Sequence, residues 1–541
     1  MGETITRDAI VIGAGIAGLY AIYRLREMGF SLHAYEAGDD VGGTWYFNRY
    51  PGARCDIESL DYSYSFSPEL EQEWTWSERY ASQPEILRYL QHVADRFSLR
   101  DHIDFSTRVT SAVFSDDDDM WTVTTDTGIT ARARFVIMAT GVLSVPQDPT
   151  ITGQEDFTGP IYHSGKWPMD GVDFRGKKVA VIGTGSSGTQ MIPLIAEQAD
   201  HLYVLQRTPN FCMPAQNYPL PEETIADWKS NYRERRAFAR QAGFGHNQLS
   251  NPLAGSEVSP DERMAEFENR WQLGGLYMMR AFKDILVDPK VNEEAAEFVR
   301  DKIRHIVHDP EVAQDLLPSN DLPIGTKRLC SGTDYYETFN RDNVSLVNVR
   351  KHPLERITAT GVALDDRTID VDIIVFATGF DAMTGALTRI NPIGRGGVAL
   401  ADHWSAGPRT YLGVTVHNFP NMFIMAGPGS PSVFSNMVTS IEQHVEWAID
   451  AMDYLRQHSL TAIEATAESE QMWVEHVNEL ANSTLYGVSK DTWFYGANTP
   501  GKAQVFMPYV GGVGSYYNRI LSIAQNGYEG YSLTGQNVSV G

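Results

Sequence analysis

The chain has 541 residues, and because single hydrophobic cores stop growing near about 250 to 300 residues, two or more domains are expected. Its 69 acidic and 44 basic residues give a formal net charge of -25, a field that repels phosphate backbones and anionic lipid and so argues against nucleic acid or a membrane as partner. Hydrophobic residues at 42% and charged residues at 21% are the proportions of a folded globular protein.

The N-terminal MGETIT matches a myristoylation pattern in form, but the first strand begins within a few residues and nothing there is built like a signal peptide. Residues 8–30, DAIVIGAGIAGLYAIYRLREMGF, read as a buried strand, a glycine turn and a helix, with SLHAYEA as the next strand. Gly13, Gly15 and Gly18 make GxGxxG: the first allows the tight turn, the second lets backbone amides approach a pyrophosphate, and the third lets helix pack on strand. Glu36 ends the second strand, where a carboxylate accepts hydrogen bonds from ribose hydroxyls. Together they form a dinucleotide fingerprint.

WTVTTDTGITARARFVIMATG, residues 121–141, continues as a hairpin and a strand ending in Ala-Thr-Gly. FTGPIYHSGKWP, residues 157–168, is too rich in glycine and proline for a helix, yet it sets Phe157, Gly159, His163 and Trp167 at fixed intervals. The nucleotide pattern then returns in residues 177–208, with Gly183, Gly185 and Gly188. Here Gln206 stands where Glu36 stood, followed by Arg207 and Thr208. A carboxylate would repel a 2′-phosphate and an arginine can pair with it, which predicts NADP; an exposed arginine at a strand end is the alternative. Between Pro219 and Pro323 the pattern is helical: Ser259, Pro260 and Glu262 suit a capped helix start, and Val299, Ile303, Ile306 and Val307 form one apolar face. GVALDDRTIDVDIIVFATGFD, residues 361–381, closes the second unit as the first closed, on an Ala-Thr-Gly strand. The expected fold is α/β, with two Rossmann-like dinucleotide-binding domains and an inserted helical subdomain.

Two further patterns are specific. FTGPIYHSGKWP matches FxGxxxHxxxWP throughout, and GGTWYFNRYPGARCD, residues 42–56, looks like [AG]GxWxxxx[FY]PGxxxD. With two glycine fingerprints in this order, the chain resembles the type I Baeyer–Villiger monooxygenases over nearly its whole length. AGPGSPSVFSNM, residues 426–437, is similar to the phenylacetone and steroid monooxygenase branch.

The resemblance implies FAD and NADPH as cofactors, a ketone and dioxygen as substrates, and oxygen insertion through a C4a-peroxyflavin to give an ester or lactone. It also implies site residues. Arg328 would stand over the flavin, and Lys327 would help bind the 2′-phosphate. A cation about 4 Å from an anionic oxygen contributes roughly 4 kcal/mol at an effective dielectric of 20. Asp56 resembles the acid that orients Arg328; a salt bridge to neighbouring Arg54 is the other reading. Gly43, Thr44, Trp45, Tyr62, Val109 and Met437 resemble FAD contacts. Thr184, Gly185, Ser186, Ser187, Gly188 and Gln190 resemble the NADP pyrophosphate loop, and Trp493 a contact to the nicotinamide half. Pro431, Ser432, Val433 and Phe434 would shape the ketone pocket. His163 sits in the connection between the nucleotide domains, where it either couples them or serves as a catalytic base.

The implied boundaries are 1–145 and 381–541 for the FAD domain, 146–218 (including the 157–168 motif) and 324–380 for the NADP domain, and 219–323 for the helical subdomain. The rival readings are a flavin monooxygenase oxidising amines or sulfides and a catalytically silent NADP-sensing protein on the same fold. Cys55, Cys212 and Cys330 form no CxxC or CxxxxC, which excludes a flavin disulfide reductase and a cysteine metal site, and fits a reducing cytoplasm.

Overall fold

The computed structural model describes residues 5–535, so part of the MGETIT match lies outside the described residues. Strand Ile5–Ile12 is exposed over its first half and buried from Ala9 onward, as expected where a parallel sheet is covered on both faces. It pairs in parallel with Leu32–Tyr35 on one side and Thr130–Met138 on the other. Ile103–Asp104 extends the sheet beyond Leu32–Tyr35, and the antiparallel Val109–Ser115/Met120–Thr125 hairpin extends it from Thr130–Met138. A seventh strand comes from far along the chain: Met422–Ile424 pairs in parallel with Val136–Met138.

The second sheet is entirely parallel, in the order Val344–Asn348, His201–Gln206, Lys178–Ile182, Ile373–Phe376, Ile161–His163. The Gly/Pro-rich 157–168 motif therefore supplies an edge strand, with Ile161–His163 in register with Ile374–Phe376. The two units close differently. The first hairpin is bonded into its sheet, whereas residues 354–370 form a separate three-stranded antiparallel sheet.

The same steric logic fixes both glycine turns. Gly13 and Gly183 have φ of 105° and 112°, and a Cβ on either would meet the carbonyl oxygen of Ala139 or Ala377 at 2.5 Å. Each Ala-Thr-Gly strand thus ends against the first glycine of its own fingerprint. A Cβ on Gly18 or Gly188 would lie 1.8 or 2.4 Å from the carbonyl of Gly13 or Gly183, so only glycine lets helices Ile16–Glu27 and Ser186–Ala196 start this close to their strands. The helical region includes Glu222–Gln241, Pro260–Leu273 and Pro289–Ile306. Ser259 and Glu262 form the reciprocal capping box, and Val299 and Ile303 are fully buried. Among the described residues no helix is long and apolar enough to cross a membrane.

Candidate active site

One cavity of about 1300 Å³ runs from the first glycine turn to the second. Gly13, Gly15, Glu36, Gly43, Thr44, Trp45, Asp56, Tyr62, Val109 and Met437 line it from the first unit's side, and Gly183, Thr184, Gly185, Ser186, Ser187, Gln190, Arg207, Thr208, Lys327, Arg328 and Trp493 from the second's. Gly18 and Gly188 lie behind it as packing residues. A Cβ on Gly185 would meet no atom within 4 Å, leaving room for a phosphate to approach the backbone at the helix start.

Glu36 is only 4% exposed. Its oxygens accept from the amides of Ala14 and Gly38, both at 2.7 Å; burial raises its pKa, and those amides pull it back. At the far end of the cavity Thr184 donates to Gln206 at 3.4 Å, and Gln206 donates to the Asp315 carbonyl. The amide at this position is therefore turned into the protein. Lys327 is half-buried, 3.5 Å from Asp491. Burial lowers its pKa, Asp491 opposes this, and neighbouring Arg207 and Arg350 add to the lowering.

At the junction of the two halves, Arg328 Nη2 donates to Asp56 at 2.6 Å and Nη1 to the Val433 carbonyl at 2.6 Å. Burial disfavours its charge most strongly, but the charge and hydrogen bond of Asp56, with smaller help from Cys55 and Cys330, leave the net pKa raised. Arg54 instead pairs with Glu78 at 2.6 Å and donates to the Tyr80 carbonyl, so the alternative pairing of Asp56 with Arg54 does not occur. Trp45 donates to the Tyr62 hydroxyl at 3.1 Å, and the buried Tyr62 phenol is held well above its usual pKa by desolvation. Gln190 receives a bond from Tyr50 and donates to the Arg54 carbonyl; its side chain ties the two units together as well as lining the cavity.

Of the four residues expected at a ketone pocket, Val433 alone lines the cavity. Pro431 and Ser432 are buried, and the Phe434 ring packs with Tyr486, Phe494 and Phe506 at centroid distances of 4.9, 4.6 and 6.1 Å. This aromatic cluster backs the site.

His163 is 6% exposed. Its Nδ1 accepts from the Gly165 amide at 3.0 Å, which leaves the proton on Nε2, 3.1 Å from the Gln147 carbonyl and 3.2 Å from the Thr378 hydroxyl. Burial lowers its pKa. Gly159 meets the Asp372 carbonyl with no room for a Cβ, Phe157 packs under the second sheet, and Trp167 is buried against Tyr162 and Phe174. None of the four lines the cavity.

Several cavity residues escaped the sequence reading. Asn210 donates to the Arg328 carbonyl at 2.8 Å; its place three residues after Arg207 was the available signal. Gln147 and Asn498 exchange bonds, Gln147 Nε2 donating to the Asn498 carbonyl and Asn498 Nδ2 to Gln147 Oε1. No local pattern announces a pair so far apart in sequence.

Two glycine turns facing one cavity, with an acid closing the first unit and cations gathered at the second, define a two-dinucleotide flavoprotein oxidoreductase. Comparison with known proteins is consistent with this class and narrows it. Residues 10–221 match the family model described as pyridine nucleotide-disulphide oxidoreductase, although the three cysteines are all free. The chain is 44% identical over 538 residues to acetone monooxygenase (methyl acetate-forming) of Gordonia sp. (strain TY-5), covering 98% of this chain and 100% of that protein. It is 41% identical to a Baeyer–Villiger monooxygenase of Pseudooceanicola batsensis, covering 96% and 95%. The solved structure of oxidised steroid monooxygenase bound to NADP superposes with a TM-score of 0.94 at 51% identity, covering 98% and 99%. The chain belongs to the type I Baeyer–Villiger monooxygenase family.

Proposed function

We propose that this protein is an FAD-containing, NADPH- and dioxygen-dependent monooxygenase that inserts one oxygen atom beside a ketone carbonyl to give an ester or lactone. The observation that carries this reading is the Asp56–Arg328–Val433 arrangement at the junction of the two nucleotide turns.

The residues present fit both cofactors. FAD would lie with its pyrophosphate at the Gly13–Gly18 turn and its ribose at Glu36, along Gly43, Thr44, Trp45, Tyr62, Val109 and Met437. NADP would be held by the Gly183–Gly188 turn, with Arg207, Thr208 and Lys327 at its 2′-phosphate and Trp493 at its nicotinamide half. When bound, these groups supply hydride transfer and the activation of dioxygen. In domain terms, the segments 1–145 and 381–541 would hold FAD, 146–218 and 324–380 would hold NADP, and 219–323 would be the helical insert.

The chain's own contribution is charge and position. Arg328 is held at both ends of its planar fork, so its orientation is set before any reaction begins, and a preorganised cation stabilises negative charge developing in the cavity without reorganising. Asp56 fixes that orientation and offsets part of the charge. Glu36, Lys327 and Arg207 bind and orient. His163 faces two backbone-anchored partners rather than the cavity, which favours a positioning role over that of a base.

Incubation of the purified protein with FAD, NADPH, oxygen and a panel of linear, cyclic, aryl and steroid ketones tests the reading by product mass and structure. Ester or lactone is expected. Oxidation of amine or sulfide probes with every ketone left intact would overturn it, as would a failure to consume NADPH.

A further inference from the structure

Strand Val344–Asn348 pairs in parallel with His201–Gln206 so that Asn348 stands beside Gln206, and the Val349 amide continues the ladder onto the Gln206 carbonyl at 3.0 Å. The two residues after each strand end are thereby delivered to the same edge: Arg207 and Thr208 from one strand, Val349 and Arg350 from the other. The Arg350 amide donates to Asn348 Oδ1 at 3.0 Å, fixing the turn, and its Nη2 donates to the Thr208 hydroxyl at 3.0 Å.

Charge makes this placement informative. In a chain of net charge -25, three cations meet at this edge: Arg350 bonds Thr208 beside Arg207, and both arginines bear on the ammonium of Lys327. Among the described residues neither Arg207 nor Arg350 has an acid within salt-bridge distance, and Lys327 has only Asp491 at 3.5 Å. The neighbouring cation behaves differently: Lys351 pairs with Asp315 at 2.6 Å. Mutual repulsion among three cations is relieved by an anion placed between them, and a phosphate monoester carrying close to two negative charges fits that requirement.

We propose that Arg350 is a fourth reader of the NADP 2′-phosphate and its third cation, a specificity residue that acts with Arg207, Thr208 and Lys327. The inference rests on the assignment of those three to the 2′-phosphate. The Thr208 hydroxyl, receiving the Arg350 bond, holds the guanidinium at the phosphate position while its own proton stays available to a phosphate oxygen.

Calorimetric titration of the FAD-loaded protein with 2′,5′-ADP and with 5′-ADP, beside steady-state kinetics with NADPH and NADH, tests the proposal. For Arg350→Ala, 2′,5′-ADP binding should weaken about tenfold and KM for NADPH rise about as much, with 5′-ADP binding and KM for NADH within about twofold of the parent. The melting temperature should hold, because the side chain is exposed. Arg350→Lys should recover part of the loss, and Lys351→Ala should show no discrimination. If Arg207→Ala is selective for the 2′-phosphate while Arg350→Ala is not, or if Lys351→Ala weakens 2′,5′-ADP as much as Arg350→Ala, the role of Arg350 is overturned and the assignment of Arg207 stands. If neither arginine variant discriminates between the two ligands, the assignment of the whole edge to the 2′-phosphate fails.

Discussion

Arg328 makes two hydrogen bonds that do different work. The bond to Asp56 sets its plane, and the bond to the Val433 carbonyl fixes its reach across the cavity. Arg328→Ala should lower ester formation by about 100-fold or more, the scale of losing one preorganised donor. Residual NADPH consumption should then yield hydrogen peroxide, measurable with a peroxidase assay. Arg328→Lys should not restore coupling, since a flexible ammonium cannot hold both acceptors at once. Unchanged ester yield per NADPH in either variant would mean that another group stabilises the charge. Arg207→Ala is expected to raise KM for NADPH while leaving that for NADH nearly alone; equal losses would show that it does not discriminate.

The two glycine turns separate binding from folding at the level of elements. In Gly188→Ala the new methyl would sit 2.4 Å from the Gly183 carbonyl, so helix Ser186–Ala196 must shift at a cost of roughly 1 to 3 kcal/mol, read as a lower melting temperature. Gly185→Ala meets nothing within 4 Å and should melt like the parent while binding NADP more weakly, because its methyl enters the cavity. The edge strand Ile161–His163 carries a pH signature. Burial lowers the His163 pKa below its usual 6.5, so the neutral ring's contribution is full above about 6.5 and is lost as pH falls from there toward the folded value. Denaturant titrations should therefore find His163→Gln costliest above pH 6.5, with the gap narrowing in acid; a pH-independent gap would rule this out. Both fingerprints, Glu36 and the capped helix at Ser259 were legible in sequence because each is a local spacing with a local steric cause. Arg350, the Gln147–Asn498 exchange and the Met422–Ile424 strand were not. They depend on sheet register and on contacts between distant segments, which leave no periodic mark. The edge strand was hidden too, since its flanking glycines and prolines read as irregular chain.

At the scale of the molecule, segment 491–502 is a strap over the cavity. Lys502 bonds Asp381 and the Ala382 carbonyl at 2.7 Å, Asn498 bonds Gln147 and the Phe380 carbonyl, and Trp493 lines the cavity between them. Asn498→Ala should loosen that strap, raising peroxide leakage without loss of FAD; tight coupling in the variant would count against it. The first sheet also reaches across the whole chain. It opens at Ile5 and is completed by Met422–Ile424, and helix Met437–Gln457 is tied to helix Ile16–Glu27 through the Tyr20–Glu446 bond at 3.0 Å. The second sheet is contained between Ile161 and Phe376. During synthesis the unit begun second therefore has all its strands first, while the one begun first waits on the ribosome with an open edge beside Val136. A nascent chain halted at Pro420, just before the Met422–Ile424 strand is made, should protect the Val179–Val181 core from protease and leave Ile137 cleavable. Chaperones that cover bare strand edges would then be needed most by the half of the protein that emerged earliest.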